Sequence, residues 1–136
     1  MIPDPVDPIE VVVLDTSALL YWTLAPERLT PRAHGYIDAA IEVQVRSISR
    51  WGITLKLRKR AMEIPGPMEE YRKRLFTVER LNIRGLDGTL AVAGALLDWA
   101  HRDPADRWIT ALAMHRESPL ITSDRAISDY YHLAVW

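Results

Sequence analysis

The run Val11-Val12-Val13-Leu14 is continuous, β-branched and apolar, and it ends on an acid, Asp15. A strand with one wet face alternates apolar and polar residues, so an unbroken run like this one belongs in a sheet covered on both faces, as parallel sheets are. Parallel strands cannot be joined by tight turns and need crossover segments, usually helices. That requirement fixes what the rest of the chain must supply.

The chain supplies it in alternation. Thr16 or Ser17 is placed to cap a short helix reaching about Leu24, which Pro26 interrupts. Thr30-Pro31 pairs a cap with proline at the first helical position and opens a helix to about Ile41. Val43 to Ser47 reads as a second strand, and Ser49 starts a helix with Trp51, Ile53, Leu55, Leu57 and Met62 as apolar positions. After the Gly66-Pro67 break, Met68 to Phe76 reads as a helix and Leu81-Asn82-Ile83 as a weakly marked strand. Asp87 caps a helix over Thr89 to Ala100, and residues 101–106 form a loop running into the helix of Trp108 to Arg116. Leu120 to Thr122 is a strand, and Ala134-Val135-Trp136 an edge strand. The pattern is that of an α/β fold with a mainly parallel central sheet. Residues 1–9, with Pro3, Pro5 and Pro8, read as an extended arm, and residues 10–136 as one domain.

In such a sheet, ligands bind outside the carboxyl ends of the strands. Asp15 and Asp124 follow apolar runs that end there, and Asp106 sits at a helix start, so the three acids are candidates for one pocket. Each also has a local explanation. Asp15 can cap the helix after it, Asp103 before Pro104 is a cap signature that leaves Asp106 in a dipole-favoured first turn, and Asp124 can cap a short turn. Singly the capping reading is the simpler one; jointly three acids at one sheet edge point to a site that holds a cation against their mutual repulsion. Oxygen donors suit Mg²⁺ or Mn²⁺, and Mg²⁺ is commonly held by one or two carboxylates, waters and substrate phosphates. His34, His101, His115 and His132 are scattered and the chain has no cysteine, so neither a zinc site nor a disulfide framework is expected. His101 is read as a loop-packing residue, with substrate contact as the alternative.

Several other classes are excluded. No G-x-G-x-x-G follows the first strand, and neither a phosphate-binding P-loop nor a G-x-S-x-G elbow occurs. No apolar run is long enough to span a bilayer, and the acidic, proline-rich start is unlike a secretory leader, so the cytoplasm is the expected compartment. Seventeen basic against eighteen acidic residues, for a net charge of -1, give no overall basic signal for nucleic acid. The basic residues cluster instead: Arg46, Arg50, Lys56, Arg58, Lys59 and Arg60, then Arg72, Lys73 and Arg74, read either as a solvated helix face or as a phosphate-contacting rim. Trp22, Trp51, Trp99 and Trp108 fall at core spacing rather than as base-stacking platforms.

Four ordered segments then carry a resemblance: Val13-Leu14-Asp15-Thr16-Ser17-Ala18-Leu19-Leu20, Ser49-Arg50-Trp51-Gly52-Ile53, His101-Arg102-Asp103-Pro104-Ala105-Asp106-Arg107, and Leu120-Ile121-Thr122-Ser123-Asp124. Together they resemble PIN-domain proteins from about residue 11 onward, and the HRDPxDR segment with a closing Val-Trp strand is most similar to VapC-type toxins of bacterial toxin–antitoxin modules. The resemblance implies a three-layer α/β/α domain and a Mg²⁺- or Mn²⁺-dependent endoribonuclease acting on structured RNA such as tRNA or rRNA. It also implies homodimers and a VapB-type antitoxin as partner. By match, Asp15, Asp106 and Asp124 are the first, third and fourth acids of a metal-binding, catalytic quartet. Thr122 or Ser123 would lie next to the metal waters, Thr16 near the first acid, and Asp103 nearby as the cap.

The second acid of the quartet is absent. The family reads Trp-Glu-Ile where this chain has Trp51-Gly52-Ile53. Glycine supplies no oxygen ligand and costs a helix about 0.5–1 kcal/mol relative to alanine. The resemblance therefore implies a nuclease with reduced activity, or a silent PIN module that binds RNA or an antitoxin without cutting.

Overall fold

A computed structural model describes residues 5, 7–47, 53–54, 58, 64 and 66–136. Five strands form one sheet: β1 (Ile9–Leu14), β2 (Ala40–Arg46), β3 (Leu81–Arg84), β4 (Leu120–Ile121) and β5 (Ala134–Val135), in the order β3-β2-β1-β4-β5. Every pairing is parallel. Among the described residues six α-helices link them: α1 (Thr16–Leu24), α2 (Pro31–Ala39), α3 (Met68–Leu75), α4 (Gly88–Leu96), α5 (Pro104–Arg116) and α6 (Arg125–Tyr130).

The continuous apolar run does what it predicts. Val11, Val12, Val13 and Leu14 are all buried, and they divide between two cores. Val12 and Leu14 pack with α1, α2, Tyr71 and Leu75 on one face of the sheet. Val11 and Val13 pack with Leu90, Ile109, Leu112, Ile127 and Tyr131 on the other. Helices on both faces make this a three-layer α/β/α domain. No helix among the described residues is long and apolar enough to cross a membrane.

Several boundaries differ from the sequence reading. The second helix stops at Ala39, and the strand begins at Ala40 rather than Val43, because Ala40 and Glu42 join the ladder beside Ile9 and Val11. The helix expected over Thr89 to Ala100 ends at Leu96, where the chain leaves helical geometry at Leu97. Asp15, not Thr16 or Ser17, caps α1, its side chain accepting from Ala18 N at 2.8 Å. The turn expected after Asp124 is a full short helix, α6. The helix expected from Ser49 to Met62 lies almost wholly outside the described residues, although Ile53 is buried against the first core.

The described residues of the basic cluster are divided rather than gathered in one rim. Arg46 is fully buried. The cationic last turn of α3 leads straight into the start of β3, and this sets Arg72, Lys73 and Arg74 at the amino edge of a parallel sheet, away from the carboxyl edge. They serve as a solvated face whose charge suits a helix C-terminus. Arg58 is exposed; Arg50, Lys56, Lys59 and Arg60 lie outside the described residues. Trp22, Trp99 and Trp108 are half-buried flanks rather than core, and Trp51 is outside the described residues.

Candidate active site

The strand order reverses direction at β1, which has β2 on one side and β4 on the other. A crevice opens at the carboxyl ends of the strands at such a switch point. Asp15 follows β1 and Thr122 follows β4, and the structure joins them there. Thr122 Oγ1 donates to Asp15 Oδ2 at 2.5 Å and accepts from Asp124 N at 3.0 Å. Thr122 is fully buried and Asp15 nearly so. One hydroxyl therefore ties the first acid to the backbone of the last.

Helix α5 brings the third acid. It leads into β4, so in a parallel crossover its N-terminus lies at the carboxyl edge. Asp103 caps it through Asp106 N at 3.0 Å, with Pro104 at the first helical position. Asp106 is half-buried, and its Oδ2 meets His101 Nε2 at 2.7 Å. Burial pushes the Asp106 carboxyl above its usual range; the His101 hydrogen bond opposes this, and the charges of Asp103 and Asp124 reinforce it. Asp106 thus feels Asp124 as a neighbouring like charge.

Both oxygens of Asp15 are engaged, by Ala18 N and by Thr122. Asp124 uses Oδ1 to cap α6, through Ala126 N at 2.8 Å and Ile127 N at 3.4 Å. Among the described residues, Asp106 Oδ1 and Asp124 Oδ2 have no hydrogen-bond partner. No three His, Cys, Asp or Glu side chains among the described residues are gathered closely enough to form a ready-made metal cage. The donor set fits a hydrated hard cation, which needs few direct protein oxygens and tolerates an open edge. It does not fit a closed structural site. Of the neighbouring residues, Thr16 opens α1 half-buried and Ser123 is exposed, and neither hydrogen-bonds an acid among the described residues. Gly52 lies outside the described residues.

Two features of this edge escape sequence reasoning. His101 is not merely loop packing, because it bonds the third acid directly. Its ring also lies 4.8 Å from that of Trp99, which stacks on Tyr130 at 4.6 Å and 11°. Thr122 is a buried bridge between two of the acids, a contact its sequence position does not announce. Nothing in apolar periodicity marks either residue; only the closed loop 97–103 and the β1–β4 pairing reveal them.

The fold and this edge define a class: an all-parallel α/β/α domain with aspartates along the carboxyl edge of its sheet. The PIN domain family profile matches residues 12–133, and the chain belongs to that family. It is 27% identical over 129 residues to Ribonuclease VapC22 of Mycobacterium tuberculosis (strain ATCC 25618 / H37Rv), spanning 92% of this chain and 98% of that protein. Its fold is similar to a chain of a toxin–antitoxin complex from Klebsiella pneumoniae, with a TM-score of 0.64 at 17% identity over 92% of this chain and 96% of that one. It is also similar to FitAcB from Neisseria gonorrhoeae, with a TM-score of 0.59 at 20% identity over 92% and 96%.

Proposed function

We propose that this chain is a VapC-type toxin, a cytoplasmic Mg²⁺- or Mn²⁺-dependent endoribonuclease that hydrolyses a phosphodiester in structured RNA such as tRNA or rRNA. The observation that carries the reading is the Asp15–Thr122–Asp124 linkage at the switch point, with Asp106 close enough for its charge to register that of Asp124. The similarity to a protein named a ribonuclease supports the same reading.

In this reading Asp106 and Asp124 present open carboxylate oxygens to the ion, and Asp15 completes the negative edge. The ion, when bound, lowers the pKa of a bound water and neutralises charge on the phosphoryl group. Thr122 fixes the Asp15 carboxylate so that it does not swing with each substrate. His101 fixes Asp106. The helix N-termini at α1, α5 and α6 favour negative charge at this edge and reduce the cost of holding three acids together.

A VapB-type antitoxin is the proposed partner, supported by structural neighbours solved as toxin–antitoxin complexes. A homodimer is supported by α4, whose Val92 and Leu96 are 57% and 77% exposed on a largely apolar helix. A helix apolar all round ordinarily has both faces covered.

The test is cleavage of a tRNA and rRNA pool by this chain beside its Gly52→Glu counterpart, with Mg²⁺, with Mn²⁺ and with EDTA. The expected result is metal-dependent cutting by the glutamate form and little by the native one. A second reading, a silent module that binds RNA or an antitoxin, is favoured by the missing oxygen at position 52 and the open, cage-free acids. It takes the lead if neither form cuts while RNA affinity survives Asp15→Asn.

A further inference from the structure

Arg107 follows Asp106, yet its guanidinium serves a different stretch of chain. Nε donates to Gly94 O at 2.9 Å, and Nη2 to Ala95 O at 3.2 Å and Leu97 O at 2.8 Å. Those carbonyls lie at the end of α4, where a helix has no internal donors left to offer. Nη1 donates to Trp99 O at 2.7 Å and His101 O at 2.8 Å, beyond the helix. A guanidinium has five N–H groups in a rigid fork, and here each one is matched to a separate backbone carbonyl. The cation also sits 6.0 Å from the Trp99 ring centroid.

Capping α4 requires only the first three of these bonds. The two from Nη1 do something else: they fix the backbone of loop 97–103 at Trp99 and at His101, whose ring reaches Asp106 at 2.7 Å. We propose that Arg107 is a positioning residue for the acidic edge, acting through the loop to hold the His101 imidazole against Asp106. Its effect on metal rests on the function proposed above; its effect on His101 does not. Lysine at this position keeps the charge at the helix end but offers three donors on a point-like head, so it cannot bridge helix and loop at once.

The experiment separates the two roles. In metal-free protein, ¹⁵N spectra of the imidazoles are compared for the native chain, Arg107→Lys and His101→Gln, the last assigning the His101 signals. The expected result is a native His101 whose Nε2 signal is that of a hydrogen-bonded nitrogen, and an Arg107→Lys form whose His101 signals move to those of a solvent-exposed ring. Unchanged His101 signals in an Arg107→Lys protein that melts lower would overturn the proposal and leave Arg107 a helix cap only. Should Arg107→Lys fail to fold, the native guanidinium decides: a clamped group gives separate, slowly exchanging Nη signals, and a single averaged signal refutes the clamp. A second arm measures Mn²⁺ affinity in the Gly52→Glu background. Arg107→Lys and His101→Gln should each weaken binding roughly 10- to 100-fold, as loss of an outer partner of a metal ligand does. The double variant should bind no more weakly than His101→Gln alone; additive losses overturn the route through His101. Absence of Mn²⁺ binding by the parent refutes the metal reading, while the imidazole spectra still judge the positioning role.

Discussion

Thr122→Val is the most informative single perturbation of this domain. Valine matches threonine in shape, so packing at this fully buried position is preserved and only the hydroxyl is lost. Two bonds go with it: the one donated to Asp15 Oδ2 and the one accepted from Asp124 N. A hydrogen bond to a charged group contributes about 1.5–3 kcal/mol, and an orphaned donor adds about 1 kcal/mol or more. The sum is about 3 kcal/mol. For a domain of 136 residues, 1 kcal/mol corresponds to about 3–4 °C in Tm, so the variant should melt about 10 °C lower. Thr122→Ser keeps the hydroxyl and should lose only about 1 kcal/mol for the missing methyl group. Calorimetry and urea titration followed by tryptophan fluorescence give both numbers. The linkage also predicts non-additivity, because an Asp15→Asn chain no longer has the charge that Thr122 serves. A Thr122→Val chain melting within about 2 °C of the native protein would refute the reasoning. So would a loss of the same size in the Asp15→Asn background.

Three further variants test the surrounding structure. A Cβ on Gly94 would stand 2.6 Å from Trp108 Cδ1, so Gly94→Ala should destabilise by about 1–3 kcal/mol, and Trp108→Val should relieve part of that loss in a double-variant melt. Arg46 is fully buried and donates to Gly85 O, and among the described residues its Nε and Nη2 have no partner, so Arg46→Met should be neutral or stabilising by up to about 2 kcal/mol in urea titration; a clear loss would show that attraction to Asp87 outweighs desolvation. Asp106 has its folded-state pKa raised, so the folded protein takes up this proton more readily than the unfolded chain, and the group's contribution to stability falls as pH rises through the window above the ordinary carboxylate range. In EDTA, Asp106→Asn should therefore melt higher than the native chain at neutral pH, and the two should converge at low pH; a gap that widens on acidification would contradict the sign.

The strands that carry the site were legible because their burial is written locally. Val11 to Leu14 is apolar at every position, and that alone demands a doubly covered parallel strand ending at Asp15. The Thr30-Pro31 cap placed one helix start correctly, and the Asp103-Pro104 cap signature marks the observed start of α5 at Pro104, although residues 101–106 read as a loop before a helix at Trp108. What failed were features decided by partners distant in sequence. Ala40 carries no strand signal of its own, and the ladder to β1 overrides the helix before it. The early end of α4 has no glycine or proline just after it, at residues 97–99; the Arg107 fork bonds the carbonyls of Gly94, Ala95 and Leu97 there. Arg46 reads as surface by composition and is buried by topology. Within the site, residue identity pointed to the three acids, but the Thr122 bridge and the His101 contact depend on tertiary closure.

The capping and functional readings of these aspartates are not competitors, and the geometry explains why. In a parallel α/β sheet each helix that follows a strand begins at the carboxyl edge, so cap residues accumulate where ligands bind. Asp15 caps α1, Asp103 caps α5 and Asp124 caps α6 along that one edge. A cap needs one carboxylate oxygen. What distinguishes a site from a row of caps is the second oxygen and what it faces. On Asp15 it is taken by a hydroxyl that also holds the Asp124 backbone. On Asp106 the acid sits past the cap, one oxygen on His101 and its charge opposed by Asp124. Local helix propensity requires neither arrangement, and burial of the Asp106 carboxyl beside the charges of Asp103 and Asp124 costs electrostatic energy in the absence of a cation. The caps at Asp15, Asp103 and Asp124 are explained by their helix N-termini, and the charge that capping does not explain is that of Asp106.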